Sequence, residues 1–153
     1  MNIKKQILFF IFISFIFLGC KSNSSIKENM IFIMVYDYES KEVGNVEIFS
    51  NGEKIGETDI YGRFILPLKK NYKELVFKKD KYEQIIVNLT EREFLYIKIG
   101  SSKYYAQMSE SLLDKKDYSK AKEYIKKAID IEKRADYEYL LRIIEKEMEI
   151  EKD

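Results

Sequence analysis

The chain has 153 residues, with 27 basic and 26 acidic side chains, one cysteine and no histidine. Charge is dense at 35% but balanced, so no global field draws the molecule to nucleic acid or to anionic lipid. The absence of histidine removes the usual general base, the Ser-His and Cys-His nucleophiles and most zinc sites, and a single cysteine excludes an intramolecular disulfide.

Met1 to Gln6 carries Lys4 and Lys5 and no acid, and Ile7 to Leu18 is apolar except for Ser14. A short basic start followed by an apolar run is the layout of a secretory signal. The run is shorter than the roughly 18–20 residues that a bilayer-spanning helix needs. Its ending, Phe17-Leu18-Gly19-Cys20, resembles the bacterial lipobox, with Phe17 standing where that family usually has leucine. The resemblance implies that residues 1–19 are removed as a signal peptide and that the Cys20 thiol and the new amino group are acylated (the palmitate-type modification of lipoproteins). A plain secretory signal, an uncleaved anchor and a buried structural cysteine are the other readings of the same residues. Two or more acyl chains, at about 0.8 kcal/mol per buried methylene, anchor a protein stably where one would not. Removing 19 of the 153 residues leaves 134, and because Lys4 and Lys5 leave with no acid the formal net charge falls from +1 to −1.

Residues 20–29 then read as a lipidated tether: "KSNSSIKEN", Lys21 to Asn29, is polar and has no apolar period. Its nine or so residues reach about 15–18 Å as a flexible chain. Lys21 follows the cysteine where aspartate would mark inner-membrane retention in well-studied Gram-negative bacteria. The expected location is therefore the outer membrane, with the periplasmic or the surface side left open.

Residues 30–100 have the period of strands. "MIFIMVYDY" is an apolar, branched and aromatic run, as expected of a strand buried on both faces. "NVEIFS" and "EKIGET" flank Asn51-Gly52, both of which tolerate the positive φ of a type I′ hairpin turn. "RFILPL" sets Phe64, Leu66 and Leu68 on one face and Pro67 on the other, the mark of an edge or a strand end. "KELVFKK", "EQIIVNL" and "FLYIKI" complete seven short strands, the pattern of an antiparallel β-sandwich. Val35-x-Asp37, Gly44-Asn45-Val46-Glu47-Ile48, Gly56-Glu57-Thr58-Asp59-x-x-Gly62-x-Phe64 and Lys81-Tyr82 resemble the carboxypeptidase-regulatory-like or PEGA-type sandwich. This is a transthyretin-like, non-catalytic module found outside bacterial cells. Lys81 stands where that family has glycine. In "TDIYGRF", Asp59 is suited to accept backbone N–H bonds, Gly62 to supply an unusual backbone conformation and Phe64 to plug the core.

Residues 69 to 82 interleave Lys69, Lys70, Lys73, Lys78, Lys79 and Lys81 with Tyr72, Phe77 and Tyr82. The favoured reading is that lysines guard an exposed strand edge. The sharper alternative is contact with an anionic surface through Lys78, Lys79 and Lys81. No nucleic-acid partner is expected.

From Ser101 to Asp153 the period changes to that of helices. Tyr105, Met108, Leu112 and Leu113 line a first helix capped by Ser101 or Ser102. Ala121, Tyr124, Ile125, Ala128 and Ile129 line a second, capped by Asp117. Tyr137, Leu140, Leu141, Ile144 and Met148 line a third, whose tail "EKEMEIEKD" is expected to fray. Tyr105, Met108, Ser109, Leu112, Asp117-Tyr118, Ala121, Ile125 and Ala128 resemble one tetratricopeptide motif of about 34 residues, with the third helix as its cap. An ordinary helical hairpin is the alternative. One such pair does not bury its own apolar face, so the surplus must meet the sandwich, a second copy or a partner.

The expected fold is therefore α+β, a seven-strand sandwich over 30–100 followed by a helical segment over 101–153. The expected function is a non-catalytic, membrane-anchored envelope scaffold without cofactor or metal. It would meet a protein partner, or itself, through Tyr105, Met108, Leu112, Tyr124, Ile129 and Leu140. Binding of cell-wall glycan or an external ligand is the second reading. A hydrolase built on a carboxylate pair is the third.

Overall fold

A computed structural model of the chain describes residues 30–67, 72–89 and 93–151. The signal, Cys20, the tether, Leu68, Lys69 and Lys70 lie outside the described residues. Seven strands in two sheets are followed by three helices: β1 (Met30–Asp37), β2 (Glu47–Ser50), β3 (Glu53–Glu57), β4 (Arg63–Pro67), β5 (Glu74–Lys78), β6 (Ile85–Asn88), β7 (Phe94–Ile99), then α1 (Ser102–Asp114), α2 (Tyr118–Ile131) and α3 (Ala135–Ile150). No described helix is long and apolar enough to cross a membrane.

The three-stranded sheet has the order β4-β1-β7 and the four-stranded sheet β3-β2-β5-β6. Both contribute to one apolar cluster: Ile31, Ile33, Val35, Leu66, Leu95, Ile97 and Ile99 from the first, Ile48, Leu75 and Phe77 from the second. β1 alternates strictly at its start, Ile31 and Ile33 buried and Met30 and Phe32 exposed. The expectation that it is buried on both faces is thus corrected: nothing among the described residues covers its outer face, so its apolar run serves two environments. Pairing is antiparallel except between β1 and β7, which run parallel in register from Phe32 with Phe94 to Asp37 with Ile99. Parallel neighbours cannot be joined by a tight turn, and here the five intervening strands form the connection.

The turns form as their residues dictate. Asn51 (φ 51°) and Gly52 (φ 82°) join β2 to β3. In the β3–β4 turn the Asp59 carboxylate accepts the N–H groups of Tyr61 and Arg63, each at 2.9 Å, and pairs with the Arg63 guanidinium. Gly62 there has φ +72°, and a Cβ would collide with the Val35 carbonyl oxygen. Phe64 packs, half-buried, against the cluster, and β4 ends at Pro67 on the sheet's edge. Sequence patterning misses Thr58, a buried hydroxyl that accepts the Val46 N–H (2.9 Å) and donates to the Val43 carbonyl (3.2 Å), stitching the 43–46 loop to the sheet.

The helices have their own cluster, built on Tyr105, Ala106, Ala121, Ile125, Ala128, Tyr137 and Ile144. Ser101 caps α1 by accepting the Tyr104 N–H, and Asp117 caps α2 by accepting that of Lys120. Small residues permit the close approach of α1 and α2. Ser109 is fully buried and donates to the Ala121 carbonyl at 2.7 Å. α1 packs along α2 and α2 along α3, while α1 and α3 scarcely meet, so the three helices form an open array. The expected fraying is also corrected, because α3 continues to Ile150. Met148 is drawn into the cluster, and Glu145 pairs with Lys122 of α2 at 2.8 Å.

The two turn glycines separate strain from collision. Gly52→Ala, with open space around its Cβ, should cost about 1 kcal/mol through its backbone conformation alone. Gly62→Ala should cost about 3 kcal/mol in urea unfolding, because collision adds to strain. Equal losses would contradict this packing.

Candidate functional site at the sheet–helix junction

β7 passes into α1 through Gly100 and Ser101, and the turn between β5 and β6 closes over this passage. Lys81 adopts φ +63°, a left-handed conformation that favours glycine. The turn lays Lys81 to Glu83 beside Gly100 to Ser102: Ser102 N–H donates to the Lys81 carbonyl (2.9 Å) and Glu83 N–H to that of Gly100 (2.8 Å). The Glu83 carboxylate also accepts the Gly100 N–H at 2.6 Å. A side chain at residue 100 has no room, since a Cβ would stand 2.5 Å from the Tyr105 ring.

Around this strap lies a group of tyrosines. Tyr38, from the loop after β1, stacks on Tyr104 at 5.1 Å and meets Tyr105 edge-on at 6.3 Å. Tyr105 lies 5.9 Å from Tyr124, and the Lys127 ammonium stands 5.8 Å and 5.4 Å from these two rings. Offset and edge-on pairs of this kind add roughly 0.5–1.5 kcal/mol each beyond burial. Burial pushes the Tyr105 phenol above its ordinary range, and the facing Glu83 carboxylate and Tyr38 hydroxyl push it further. Tyr105 is therefore a neutral donor in this position.

On the other side, Glu132 ends α2 and ties it to both strands of the strap. Its carboxylate accepts the Ser102 hydroxyl at 2.8 Å and pairs with the Lys81 ammonium at 3.2 Å. The cation thus sits at a helix C-terminus, where the backbone dipole favours it.

Five of the six residues assigned to partner docking contribute to the helical cluster. Tyr105 is buried, and Leu112, Tyr124, Ile129 and Leu140 pack partly buried against it. Met108 is half-buried. The structure thus commits much of the helices' apolar surface to α3 and to the junction. The three lysines do not form one free patch. Lys78 lies over the Phe49 ring at 5.0 Å, Lys79 donates to the Gly44 carbonyl at 2.7 Å, and Lys81 is held by Glu132. Nor does Lys78 guard an edge, because β5 is interior, between β2 and β6, while Lys79 and Lys81 lie in the connection that follows it. Strand order decides that point, and local sequence does not carry it.

Two exposed groups were missed by sequence patterning. On α3, Tyr139 is 61% exposed with the Arg142 guanidinium 5.9 Å from its ring, on the side opposite the apolar stripe. On the outer face of the three-stranded sheet, Phe32, Ile65, Phe94 and Tyr96 are all exposed. Phe32 stacks on Phe94 at 5.4 Å, and an open groove of about 910 Å³ runs past Phe32, Ile65 and Phe94 to Ile60 and Arg63. The alternation that would have flagged this face was hidden by the apolar character of both sides of β1.

Among the described residues no group of three His, Cys, Asp or Glu side chains could hold a metal ion, and every buried side-chain polar atom has a hydrogen-bond partner. The junction's carboxylates, Glu83 and Glu132, are both engaged in holding backbone and side chains. Chemically the arrangement is a joint. No protein-family model matches the chain, and no curated protein matches it significantly.

The junction should respond to acid through Glu132, which the Ser102 hydroxyl holds below its ordinary value of 4.5, with Lys81 and Arg134 adding to the effect. The folded value is the lower one, so this contribution is complete above 4.5 and fades as pH falls through the lowered value. The Tm difference between the parent chain and Glu132→Gln should be largest near neutrality and should close on acidification. A difference independent of pH would show that the carboxylate's charge plays no part.

Proposed function

We propose that the chain is a non-catalytic lipoprotein of the cell envelope, anchored through Cys20, that presents its helices to a protein partner. One observation carries this reading: the two ends of the parallel β1–β7 pair are given to different tasks. The tether joins at Met30, and α1 leaves after Ile99, at the opposite end of the paired strands. Ile99 is in register with Asp37, so seven steps of strand place these points about 23 Å apart along the sheet. A rigid pair of sheets with the helices strapped to its far end is a spacer between a membrane and a docking surface.

The two sheets are read as a transthyretin-like sandwich of the PEGA or carboxypeptidase-regulatory type. The Asp59 turn, the left-handed Gly62, and Lys81 in the backbone conformation of the glycine it replaces support that reading. The helices are read as one tetratricopeptide-like motif with a capping helix, supported by the open order of α1, α2 and α3 and by Ser109, Ala121 and Ala128 at the close approach. The partner is placed on the exposed side of this array. Tyr139 and Arg142 supply the residue types that dominate protein–protein contacts. Lys21 after the cysteine, where aspartate would mark inner-membrane retention, supports an outer-membrane location over an inner-membrane one.

Two measurements test the proposal. Cys20→Ser should abolish acyl labelling and move the protein out of the membrane fraction. Retention there without acylation would remove the anchor. Crosslinking in intact cells should capture a partner that the double variant Tyr139→Ala, Arg142→Ala captures at least about tenfold less, the loss expected for one anchor residue of 1.4 kcal/mol or more. Unchanged capture would place docking elsewhere.

A further inference from the structure

The outer face of the β4-β1-β7 sheet is apolar where it meets the tether and polar where it meets the helices. In register across the three strands lie Met30 beside Pro67, then Ile65, Phe32 and Phe94, then Arg63, Met34 and Tyr96, and finally Tyr36 beside Lys98. None of the strand residues in these rows is a carboxylate; Glu42 bridges Tyr36 at the polar end, and Glu57 and Asp59 line the groove beside the edge strand β4. Arg63 is paired with Asp59 of the adjoining turn at 2.9 Å, and Lys98 is exposed. Ile65, Phe94 and Tyr96 are 51%, 53% and 67% exposed, an apolar density that a soluble monomer rarely leaves uncovered.

We propose that this face seats on the lipid bilayer, with Phe32, Ile65 and Phe94 entering the acyl boundary and Tyr96, Tyr36 and Lys98 at headgroup level. The inference rests on the Cys20 anchor, and the place where the chain joins the face selects the occupant. Lys21 to Asn29 spans about 15–18 Å, so an anchored Cys20 keeps Met30 that close to the membrane surface. A short linker gives the tethered face an effective concentration in the millimolar range, so even a weak intrinsic affinity for lipid suffices to seat it. The gradient from aliphatic and phenyl groups to tyrosine hydroxyls and a cation is the one that membrane interfaces select. A protein partner on the same face would have to compete with a bilayer already within reach.

The chain has no tryptophan, so single indoles report without background. The Phe94→Trp and Ile65→Trp variants place reporters on both outer strands, and Tyr139→Trp serves as a control on α3. Each is purified as the acylated full-length product and reconstituted on phosphatidylcholine vesicles containing brominated acyl chains, with flotation and circular dichroism as checks. The expected result is a blue-shifted emission, quenching by the brominated lipid and a several-fold loss of acrylamide quenching at positions 94 and 65, with none of these at 139. Flotation with the indoles at 94 and 65 open to acrylamide would overturn the seating and leave the anchor standing. Shielding that appears without vesicles and rises with protein concentration would assign the face to a second copy. Failure to float, with no acyl mass on Cys20, would remove the anchor and this inference together.

Discussion

The molecule holds together as one object because of the space that Gly100 leaves for the Tyr105 ring. Two apolar clusters, one in the sheets and one in the helices, are each small, and no strand lies along a helix to merge them. What joins them is the strap of Lys81 to Glu83 against Gly100 to Ser102, sealed on one side by stacked tyrosines and on the other by Glu132. Tyr105 belongs to both worlds. It is buried in the helical cluster, yet it reaches Tyr38 and Glu83 of the sheet side. Had residue 100 carried a side chain, the first helix would have had to leave the sheet on another heading.

Much of this architecture is visible in the sequence where the responsible chemistry is local. Asn51-Gly52, the Asp59 turn and the caps at Ser101 and Asp117 each depend on residues within four positions of one another, and each forms as read. The parallel neighbour of β1 is β7, more than fifty residues away, and no hairpin signal encodes that choice. Once the order is known, two local readings change meaning. β1 loses its second buried face, and Lys78 is found at the end of an interior strand.

The candidate site was legible only in part for the same reason. Tyr105 and Tyr124 stand out by helical period, but their neighbours Tyr38 and Glu83 come from loops that carry no period. Lys81 reads as one of several lysines until its φ of +63° and its pairing with Glu132 show a backbone duty and a side-chain duty in one residue. A glycine there would relax the backbone and sever the ion pair. Lysine accepts the strain and keeps the connection.

The parallel β1–β7 ladder also sets how the protein carries tension. A load between the chain preceding β1 and anything gripping the helices enters at Met30 and leaves at Ile99, at opposite ends of adjacent strands. Their hydrogen bonds are then stressed lengthwise and in concert, as in a lap joint. Two strands loaded from the same end would instead peel apart one bond after another. Chain direction alone makes this pair of strands a coupling that resists pulling as a unit.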